Sequence, residues 1–286
     1  MLSAFLAAAE YRGLPSDEII YFAMIDRFND GDTANNYNAD KENIRAYQGG
    51  DLQGIIDKVE YIKDLGISAL LLSPFFDNRD GQFFGGYGFH GYWVKDFYKV
   101  DEHFGNTELL RRLIDKCHTH KIKVIIDIVL NHTEWDCPLV KEHPDWFNKY
   151  GDIKNWNDRF ELENYKMGGL PDFNQTNPEV FQYLIEMVKY WIKTTDCDGI
   201  RLDAVKHIPQ SFWKEFTKLI KDYAAAHGKP DFIIIGEVLH GDLFFCREYF
   251  NIGIPALFDF PLYYKLKETI AEGGNMSNLA NYLKSD

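Results

Sequence analysis

The stretch Gly199-Ile200-Arg201-Leu202-Asp203-Ala204-Val205-Lys206-His207 decides the fold, because it has the composition of a short buried strand that ends in charged residues. Residues 199–202 form an apolar run interrupted by Arg201, and Asp203 follows where the strand should end. Lys206 and His207 come next, so four ionisable groups crowd one strand terminus. A structural ion pair is the simplest interpretation of Arg201 and Asp203 alone. The ends of the other predicted strands favour a functional cluster instead.

Outside this stretch, short apolar runs alternate with amphipathic segments, which is the pattern of a parallel sheet with crossover helices. The predicted strands are 19–25, 69–72, 122–126, 199–202, 232–236 and 256–260, and the predicted helices are 52–65, 109–118, 178–192, 212–225 and 263–271. A chain of 286 residues can form one α/β barrel of about 250 residues as readily as two smaller domains. The alternation therefore predicts an α/β fold, and the family resemblance given below implies that it is a (β/α)8 TIM barrel.

Residues 133–177 interrupt the alternation. They are rich in Trp, Asp and Asn, show no clean periodicity and are too many for an ordinary loop. We expect a small inserted domain over 133–177, between a first part of the barrel (1–132) and a second part (178–286). The family resemblance given below implies that this inserted segment is a domain B within a catalytic barrel, that the barrel is truncated after about the sixth strand with 277–284 leading into a seventh, and that the C-terminal β-sandwich domain is absent.

Composition limits the partners. Acidic residues exceed basic ones by 44 − 31 = 13, which argues against a nucleic-acid partner, and aromatic residues make up 16%, which suits a neutral ligand such as a carbohydrate. No apolar run reaches the length of a membrane span, so no membrane partner is expected. The four cysteines are widely spaced and are predicted to be free thiols. Residues 1–9 resemble the stub of a secretory signal without a basic region. Localisation therefore stays unknown, with a secreted or periplasmic location favoured.

Three predicted strands end in the same kind of polar residues: Asp127 to His132, Arg201 with Asp203, and Glu237. In β/α barrels, catalytic groups come from the C-terminal ends of several strands. Neighbouring strands lie about 4.8 Å apart. Asp203 and Glu237 could therefore reach the separation of about 5–5.5 Å that a retaining glycosidase needs.

These segments resemble the signature regions of the α-amylase family of glycoside hydrolases, which includes α-amylases, cyclodextrin glucanotransferases and neopullulanase-like enzymes. Residues 127–132, 199–207 and 233–237 resemble the first, second and third regions. Residues 170–174 resemble the motif near the end of the family's inserted domain, and 90–96 with 104–105 resemble its second-strand loop. The resemblance runs from about residue 20 to residue 260.

The resemblance implies roles for individual residues. Asp203 corresponds to the nucleophile, with Arg201 placed to favour its ionised form, and Glu237 corresponds to the general acid/base, whose pKa must be raised. The positions that correspond to substrate-binding residues are Arg201, His90, Tyr92, His132, Lys206 and His207. His90 and His132 would donate hydrogen bonds to sugar hydroxyls, and Tyr92 would offer a ring face.

The implied function is a retaining glycoside hydrolase that cleaves α-1,4-glucosidic bonds in starch, glycogen or maltooligosaccharides. The Lys206-His207 pair favours α-1,4 chains, whereas residues 237–240 resemble the neopullulanase-like branch. One alternative is an α-glucan transglycosylase of the cyclodextrin-forming type. An alternative of another class is a non-catalytic glucan-binding protein, because the family's third carboxylate has no counterpart after Phe260. On this interpretation the 286-residue chain by itself is expected to be inactive.

Calcium is the implied cofactor. Residues 30–36 carry five oxygen-bearing side chains, and Ca²⁺ takes oxygen ligands, although an Asn/Asp-rich turn is the simpler interpretation of composition alone. The segment resembles the family's N-terminal calcium loop, which implies as ligands Asp30, Asp32, Asn35, Asn36, Asp51 and the carbonyl of Gly49. A second calcium between barrel and inserted domain would take Asn131, Asp172 and the carbonyl of His207.

Overall fold

The structure, a computed structural model, describes residues 18–285. The predicted signal stub at residues 1–9 lies outside the described residues. In chain order the strands of the described part are β1 (Ile20–Ala23), β2 (Ala69–Leu72), β3 (Phe76–Asn78), β4 (Val94–Val100), β5 (Lys123–Ile128), β6 (Gly199–Leu202), β7 (Ile233–Gly236) and β8 (Ala256–Leu257).

Six of these strands form one parallel sheet in the order β1-β2-β5-β6-β7-β8. Each parallel pair is joined by a connection that contains a helix, which makes the sheet six consecutive strands of a (β/α)8 barrel. This confirms the predicted fold class. Strands β3 and β4 form a separate antiparallel pair in the connection after β2.

The helices cover the outside of this sheet. Within residues 18–285 they are α1 (Ile25–Phe28), α2 (Leu52–Asp57), α3 (Val59–Asp64), α4 (Thr107–Thr119), α5 (Pro138–Glu142), α6 (Arg159–Asn164), α7 (Pro178–Thr195), α8 (Gln210–Ala226), α9 (Leu243–Asn251), α10 (Phe260–Leu266) and α11 (Met276–Ser285). A π-helical stretch, Lys267–Ala271, continues α10. No helix in this part of the chain is long and apolar enough to cross a membrane.

Strand periodicity divides the core into two layers. Alternate side chains of a strand point to opposite faces of the sheet. One face forms a compact interior cluster of Ala69, Leu71, Ile125, Ile233 and Ile235, and the other packs against the helices in a much larger core. Asp127 and Arg201 lie at the alternate strand positions whose side chains point to the same face as the interior cluster. The two residues are direct partners in the register of β5 and β6. The sheet therefore carries a charged pair into the inside of the barrel.

Several predicted boundaries were wrong. The first strand ends at Ala23, because Ile25 already begins α1, and the last strand ends at Leu257, because Phe260 begins α10. The predicted helix over 52–65 is two helices that meet at Lys58. The third strand extends to Ile128, so that Asp127 lies within it.

The segment expected to be an inserted domain has little regular structure. It contains α5, α6 and isolated bridges that join His132 to Asp172 and Phe147 to Phe173. Its boundaries as a separate domain stay a prediction. All four cysteines are buried and unpaired, as predicted.

Candidate active site

Arg201 stands at the centre of the carboxyl end of the sheet. Its Nη1 donates hydrogen bonds to both carboxylate oxygens of Asp127, at 2.7 and 2.8 Å, and to Oδ1 of Asp203 at 2.9 Å. Its Nη2 donates to Oε2 of Glu237. One guanidinium therefore joins three carboxylates from three adjacent strand ends. The sequence linked Arg201 to Asp203 but gave Asp127 no role.

The backbone holds these residues in register beyond the ends of the strands. The amide of Asp203 donates to the carbonyl of Ile128 at 3.1 Å, and the amide of Glu237 donates to the carbonyl of Leu202 at 2.9 Å. Each of the two residues thus continues the parallel ladder by one step past its strand. Both side chains are directed to the same guanidinium as a result.

The residue after Asp203 has an unusual backbone. Ala204 lies in the left-handed region, at φ 52° and ψ 37°, which costs a residue with a Cβ about 1–2 kcal/mol. The surrounding contacts must hold it there, and backbone strain of this kind is typical of functional sites. The reversal starts a short 3₁₀ turn, Val205–His207, which carries Lys206 and His207.

Burial sets the protonation of the carboxylates. Asp127 is completely buried, and burial raises its pKa to about 6. Two groups oppose this rise: the guanidinium of Arg201, and the hydroxyl of Tyr92, which donates a hydrogen bond to Asp127 Oδ2 at 2.8 Å. Burial also raises the pKa of Asp203, while Arg201 lowers it. The expected effect of Arg201 on the ionisation of Asp203 therefore has the predicted direction but is smaller than the effect of burial.

A cavity of about 260 Å³ opens beside the two candidate catalytic carboxylates. Its lining consists of Trp156, Met167, Asp203, Ala204, Lys206, His207, Glu237 and Leu239. The sequence predicted four of these positions. Trp156, Met167 and Leu239 were missed, because the first two lie in a segment without periodicity and the third follows a strand as an ordinary apolar residue.

The predicted substrate-binding residues His90, Tyr92 and His132 lie together on one side of Asp127. The rings of His90 and Tyr92 are nearly parallel, with centroids 5.8 Å apart. Nε2 of His132 donates to the carbonyl of Tyr92 at 3.1 Å, so in this arrangement that nitrogen supports the loop. Burial lowers the pKa of His90 and of His132 to about 4, so both rings are neutral at pH 7. Their contact with sugar hydroxyls stays a prediction.

Lys206 and His207 lie on the other side, at the cavity wall. Lys206 Nζ donates to the carbonyl of Leu239 at 2.8 Å and lies 5.8 Å from the ring centroid of Trp156. Nδ1 of His207 donates to the carbonyl of Leu162 at 3.0 Å, and burial lowers the pKa of His207 to about 4. This pair thus joins the barrel to the inserted segment.

The predicted calcium loop is folded around Asp51. The carboxylate of Asp51 is buried and accepts hydrogen bonds from the amides of Gly31, Asp32 and Gly54. Asp51 therefore caps the start of α2 and fixes the loop, and these amides compete with any metal for its oxygens. Asp32 is exposed, and its Oδ1 accepts from the amide of Ala34.

Three other oxygens of this loop have no partner. They are Oδ1 of Asp30, of Asn35 and of Asn36, and all three are buried. A Cβ added at Gly49 would lie 2.5 Å from Asn36 Oδ1 and 3.0 Å from Asp30 Oδ2, so the backbone of Gly49 closely approaches two of these side chains. Buried oxygens without a donor are costly. The donor set thus has the chemistry of a Ca²⁺ site.

The second predicted calcium set shows the same feature. Oδ1 of Asn131 and Oδ1 of Asp172 are buried without a hydrogen-bond partner, and burial raises the pKa of Asp172 well above its usual value. Glu163, which the sequence did not single out, also has a buried oxygen without a hydrogen-bond partner, with Arg159 Nη1 4.0 Å away, and burial raises its pKa to about 6. It directly follows Leu162, which is bonded to His207.

Comparisons with known proteins agree with this geometry. The family model for the α-amylase catalytic domain matches residues 22–284. The chain is 33% identical over 301 residues to a cyclomaltodextrin glucanotransferase of Klebsiella oxytoca, covering 93% of this chain and 46% of that protein. It is 39% identical over 245 residues to a cyclomaltodextrinase of Thermoanaerobacter pseudethanolicus, covering 79% of this chain and 40% of that protein.

Solved structures give the same result. An Anoxybacillus α-amylase superposes with a TM-score of 0.82 at 47% identity, covering 88% of this chain and 54% of that one. The α-amylase of Geobacillus thermoleovorans, solved in complex with acarbose, superposes with a TM-score of 0.78 at 43% identity. The match covers 88% of this chain and 53% of that one. The chain spans less than half the length of the two curated relatives described above.

Proposed function

This chain belongs to the α-amylase family of glycoside hydrolases, and on that basis we propose that it carries the catalytic centre of a retaining enzyme that cleaves α-1,4-glucosidic bonds in starch, glycogen or maltooligosaccharides. The observation that carries the proposal is the contact of Arg201 with Asp127, Asp203 and Glu237 beside a cavity. Its partner is accordingly an α-glucan.

In the proposed reaction, the ionised carboxylate of Asp203 attacks the anomeric carbon of the sugar. As the glycosidic bond breaks, Glu237 gives its proton to the departing oxygen, which leaves as a sugar hydroxyl. A glycosyl ester on Asp203 results. Glu237, now a carboxylate, removes a proton from water or from a second sugar, whose oxygen displaces Asp203 at the anomeric carbon. The anomeric configuration is retained.

Arg201 serves this reaction in two ways. Its positive charge opposes the burial that raises the pKa of Asp203, so the nucleophile is ionised at a lower pH than it would otherwise be. Its fork also fixes the positions of Asp203 and Glu237 relative to each other through separate nitrogens. Asp127 accepts hydrogen bonds from the same Nη1 that donates to Asp203, and it thereby orients the guanidinium.

The second candidate function is transglycosylation, in which a sugar hydroxyl takes the place of water. The cavity wall beside Glu237 favours it, because Trp156, Met167 and Leu239 present apolar surface on which an acceptor sugar could bind. The relatives include enzymes named for either reaction. The products formed from maltoheptaose distinguish them, because hydrolysis gives only shorter linear chains and transfer gives longer or cyclic ones.

We also propose that the chain binds calcium. The loop of residues 30–51 would hold one ion through its unpaired buried oxygens, those of Asp30, Asn35 and Asn36, with the carbonyl of Gly49. The proposed role of the ion is structural, since it would fix a loop that packs against the start of α2. A second ion would fit Asn131 and Asp172, with Glu163 as a further oxygen donor.

The catalytic assignment is tested by two substitutions that preserve shape, made in a chain extended past residue 286 to the length of its relatives, because the 286-residue chain by itself is expected to be inactive. Asp203→Asn should lower kcat on maltoheptaose by more than about a thousandfold, because the amide cannot attack, while binding stays within a few-fold. Glu237→Gln should slow cleavage of maltoheptaose far more than release of fluoride from glucosyl fluoride, because fluoride needs less protonation.

The controls separate the alternatives. Asp145→Asn alters an exposed carboxylate of the inserted segment and should leave both activities unchanged. Near-normal turnover by Asp203→Asn would remove Asp203 from the mechanism, and equal losses on the two substrates would remove the acid role of Glu237. Binding of maltoheptaose without any turnover by the extended chain, without substitutions, would show a non-catalytic glucan-binding protein.

A further inference from the structure

One wall of the cavity beside Glu237 is formed by Trp156, which lies in the turn before α6. The carboxylate of Glu161, in the first turn of this helix, accepts hydrogen bonds from the amides of Lys154 and Asn155, both at 2.8 Å. The turn is thereby fixed to α6. Trp156 and α6 therefore form one unit, and the position of the ring depends on how that helix is held to the barrel.

Other parts of the cavity wall belong to the barrel. Leu239 follows β7 and is 44% exposed. Lys206, whose Nζ lies 5.8 Å from the ring centroid of Trp156, donates a hydrogen bond to the carbonyl of Leu239. The distance between Trp156 and Leu239 is therefore a distance between the inserted segment and the barrel. Any contact that holds α6 to the barrel affects the width of the cavity.

One such contact is buried. The carbonyl of Leu162, in the middle of α6, accepts a hydrogen bond from Nδ1 of His207 at 3.0 Å, and both residues are 4% exposed. A buried bond of this kind seldom opens, because each of its polar groups would lose its partner. The bond holds one point of α6, but it does not fix the direction in which the start of the helix points.

A contact at the surface holds the start of α6. Nη2 of Arg159, the first residue of the helix, donates to Oε2 of Glu248 on α9, and its guanidinium lies 5.5 Å from the ring centroid of Phe245. Phe245 and Glu248 are three residues apart, so they are neighbours on one face of α9. Nε2 of Gln210 also donates to Oε2 of Glu248, at 3.2 Å, which keeps that carboxylate in place. We call the pair of Arg159 and Glu248 the α6 clasp.

The α6 clasp is poorly placed to stabilise the fold. The side chains of Arg159 and Glu248 are 40% and 49% exposed, and exposed ion pairs contribute little to stability. The clasp is well placed to position Trp156, because Arg159 follows this residue closely in sequence and α9 is the helix that follows the strand before Glu237. It therefore joins the inserted wall of the cavity to the part of the barrel that carries the proposed acid/base.

The sugar that leaves in the proposed reaction would occupy this part of the cleft. Glu237 protonates the oxygen of the departing sugar, so the departing part of the chain lies on the side of Glu237, where the cavity opens. The ring of Trp156 is 52% exposed and offers an apolar surface for the C–H face of a sugar. Contact between this ring and the departing sugar thus depends on the position of α6.

From these contacts we propose that Arg159 and Glu248 are positioning residues that hold Trp156 against the departing part of the α-glucan. The proposal rests on the proposed function, because the sugar concerned is the one that Glu237 protonates. Both residues act through Trp156, and not through a contact of their own with the substrate. Opening the α6 clasp weakens the binding of a chain that extends past the cleaved bond, and it does not affect a substrate that ends at that bond.

The test uses charge reversal in the extended chain. Arg159→Glu and Glu248→Arg each place like charges at the clasp. Each also suits its helix, because a carboxylate at the start of α6 and a cation in the second half of α9 agree with the helix dipoles. We expect either substitution to lower kcat/KM on maltoheptaose by roughly two- to tenfold, the range of one aromatic contact, through a higher KM with kcat nearly unchanged. The two substitutions together should recover most of the loss.

Two controls show whether the effect is local. Glucosyl fluoride has fluoride in the place of the departing sugar, so its kcat/KM should be the same in all these variants. Lys218→Glu reverses one charge of another exposed pair, in which Lys218 Nζ lies 2.6 Å from Oδ2 of Asp222 on α8. This substitution should leave the turnover of both substrates unchanged.

The outcomes separate this proposal from the proposed function. If the extended chain without substitutions does not cleave maltoheptaose, the proposed function fails. If it does, an unchanged kcat/KM on maltoheptaose in Arg159→Glu overturns the proposal, and so do equal losses on the two substrates, which would show a structural role alone. A double variant that is no better than the single ones would show that the two residues do not act as a pair, and would overturn the proposal as well.

Discussion

Replacing Arg201 by Met would remove the positive charge from three carboxylates while keeping a side chain of similar length. The side chain of Arg201 is 9% exposed, and those of Asp127 and Asp203 are 0% and 11% exposed. Removing one partner of a buried ion pair usually costs about 3–5 kcal/mol, because the remaining charge has no compensation. We therefore expect Arg201→Met to lower the free energy of unfolding by about that amount near pH 8.

The loss should depend on pH. With Arg201 present, burial already raises the pKa of Asp127 to about 6, so the ionised form still predominates at pH 7. Without Arg201 the pKa rises further, and Asp127 keeps its proton at neutral pH. The folded variant then binds more protons than the unfolded chain, whose aspartates titrate near 3.9, so its stability falls as pH rises. The variant should be closest to the unaltered protein near pH 5.

The assay is urea unfolding at pH 5 and pH 8. Adding Asp127→Asn to Arg201→Met should recover part of the lost stability at pH 8, because the uncompensated carboxylate is gone, although Asp127→Asn alone destabilises. Arg159→Met, at an arginine that is 40% exposed, should cost less than about 1 kcal/mol at both pH values. The reasoning is refuted if Asp127→Asn costs the same with and without Arg201, or if the loss is independent of pH.

Two further predictions concern stability. Excess calcium should raise the melting temperature, with about 2.7 kcal/mol of stabilisation from each ion at a hundred times its Kd, and Asp30→Ala should remove the part of the response that comes from the ion of the 30–51 loop; an identical melt with calcium and with chelator would contradict both proposed ions. His118 donates a hydrogen bond to Asp198 at 2.7 Å, and this bond raises the pKa of His118 in the folded protein. The stability that the bond provides is therefore fully present below pH 6.5, and it is lost as the pH rises through the raised pKa of folded His118. His118→Gln should accordingly lower the melting temperature more at pH 6 than at pH 9, and a loss that is equal at the two pH values would contradict this role of the His118–Asp198 bond.

The parallel sheet and its polar strand ends could be predicted because each depends on local pattern. Short apolar runs such as 69–72 and 233–236 have few alternatives to a buried strand, and a charged residue directly after such a run can only lie at its end. The interior position of Asp127 could also have been found, since it has the same strand parity as Arg201 on the neighbouring strand.

Other features depend on contacts distant in sequence. The antiparallel pair β3–β4 was missed because β3 has only three residues and its register with β4 is irregular. Trp156 and Glu163 reach the site through the folding of a segment without periodicity. The role of Asp51 as a helix cap was not predicted, because its carboxylate is satisfied by the amides of Gly31 and Asp32, twenty and nineteen residues away.

The position of Asp51 has a consequence for how the first part of the barrel comes apart. One carboxylate both begins α2 and closes the loop around residue 31, so neither can fray while the other stays in place. The loop therefore behaves as part of the first strand–helix unit and not as a surface appendage. A protease could therefore cut between residues 31 and 36 only after that whole unit has opened. The rate of cleavage there would measure how often this part of the barrel wall opens.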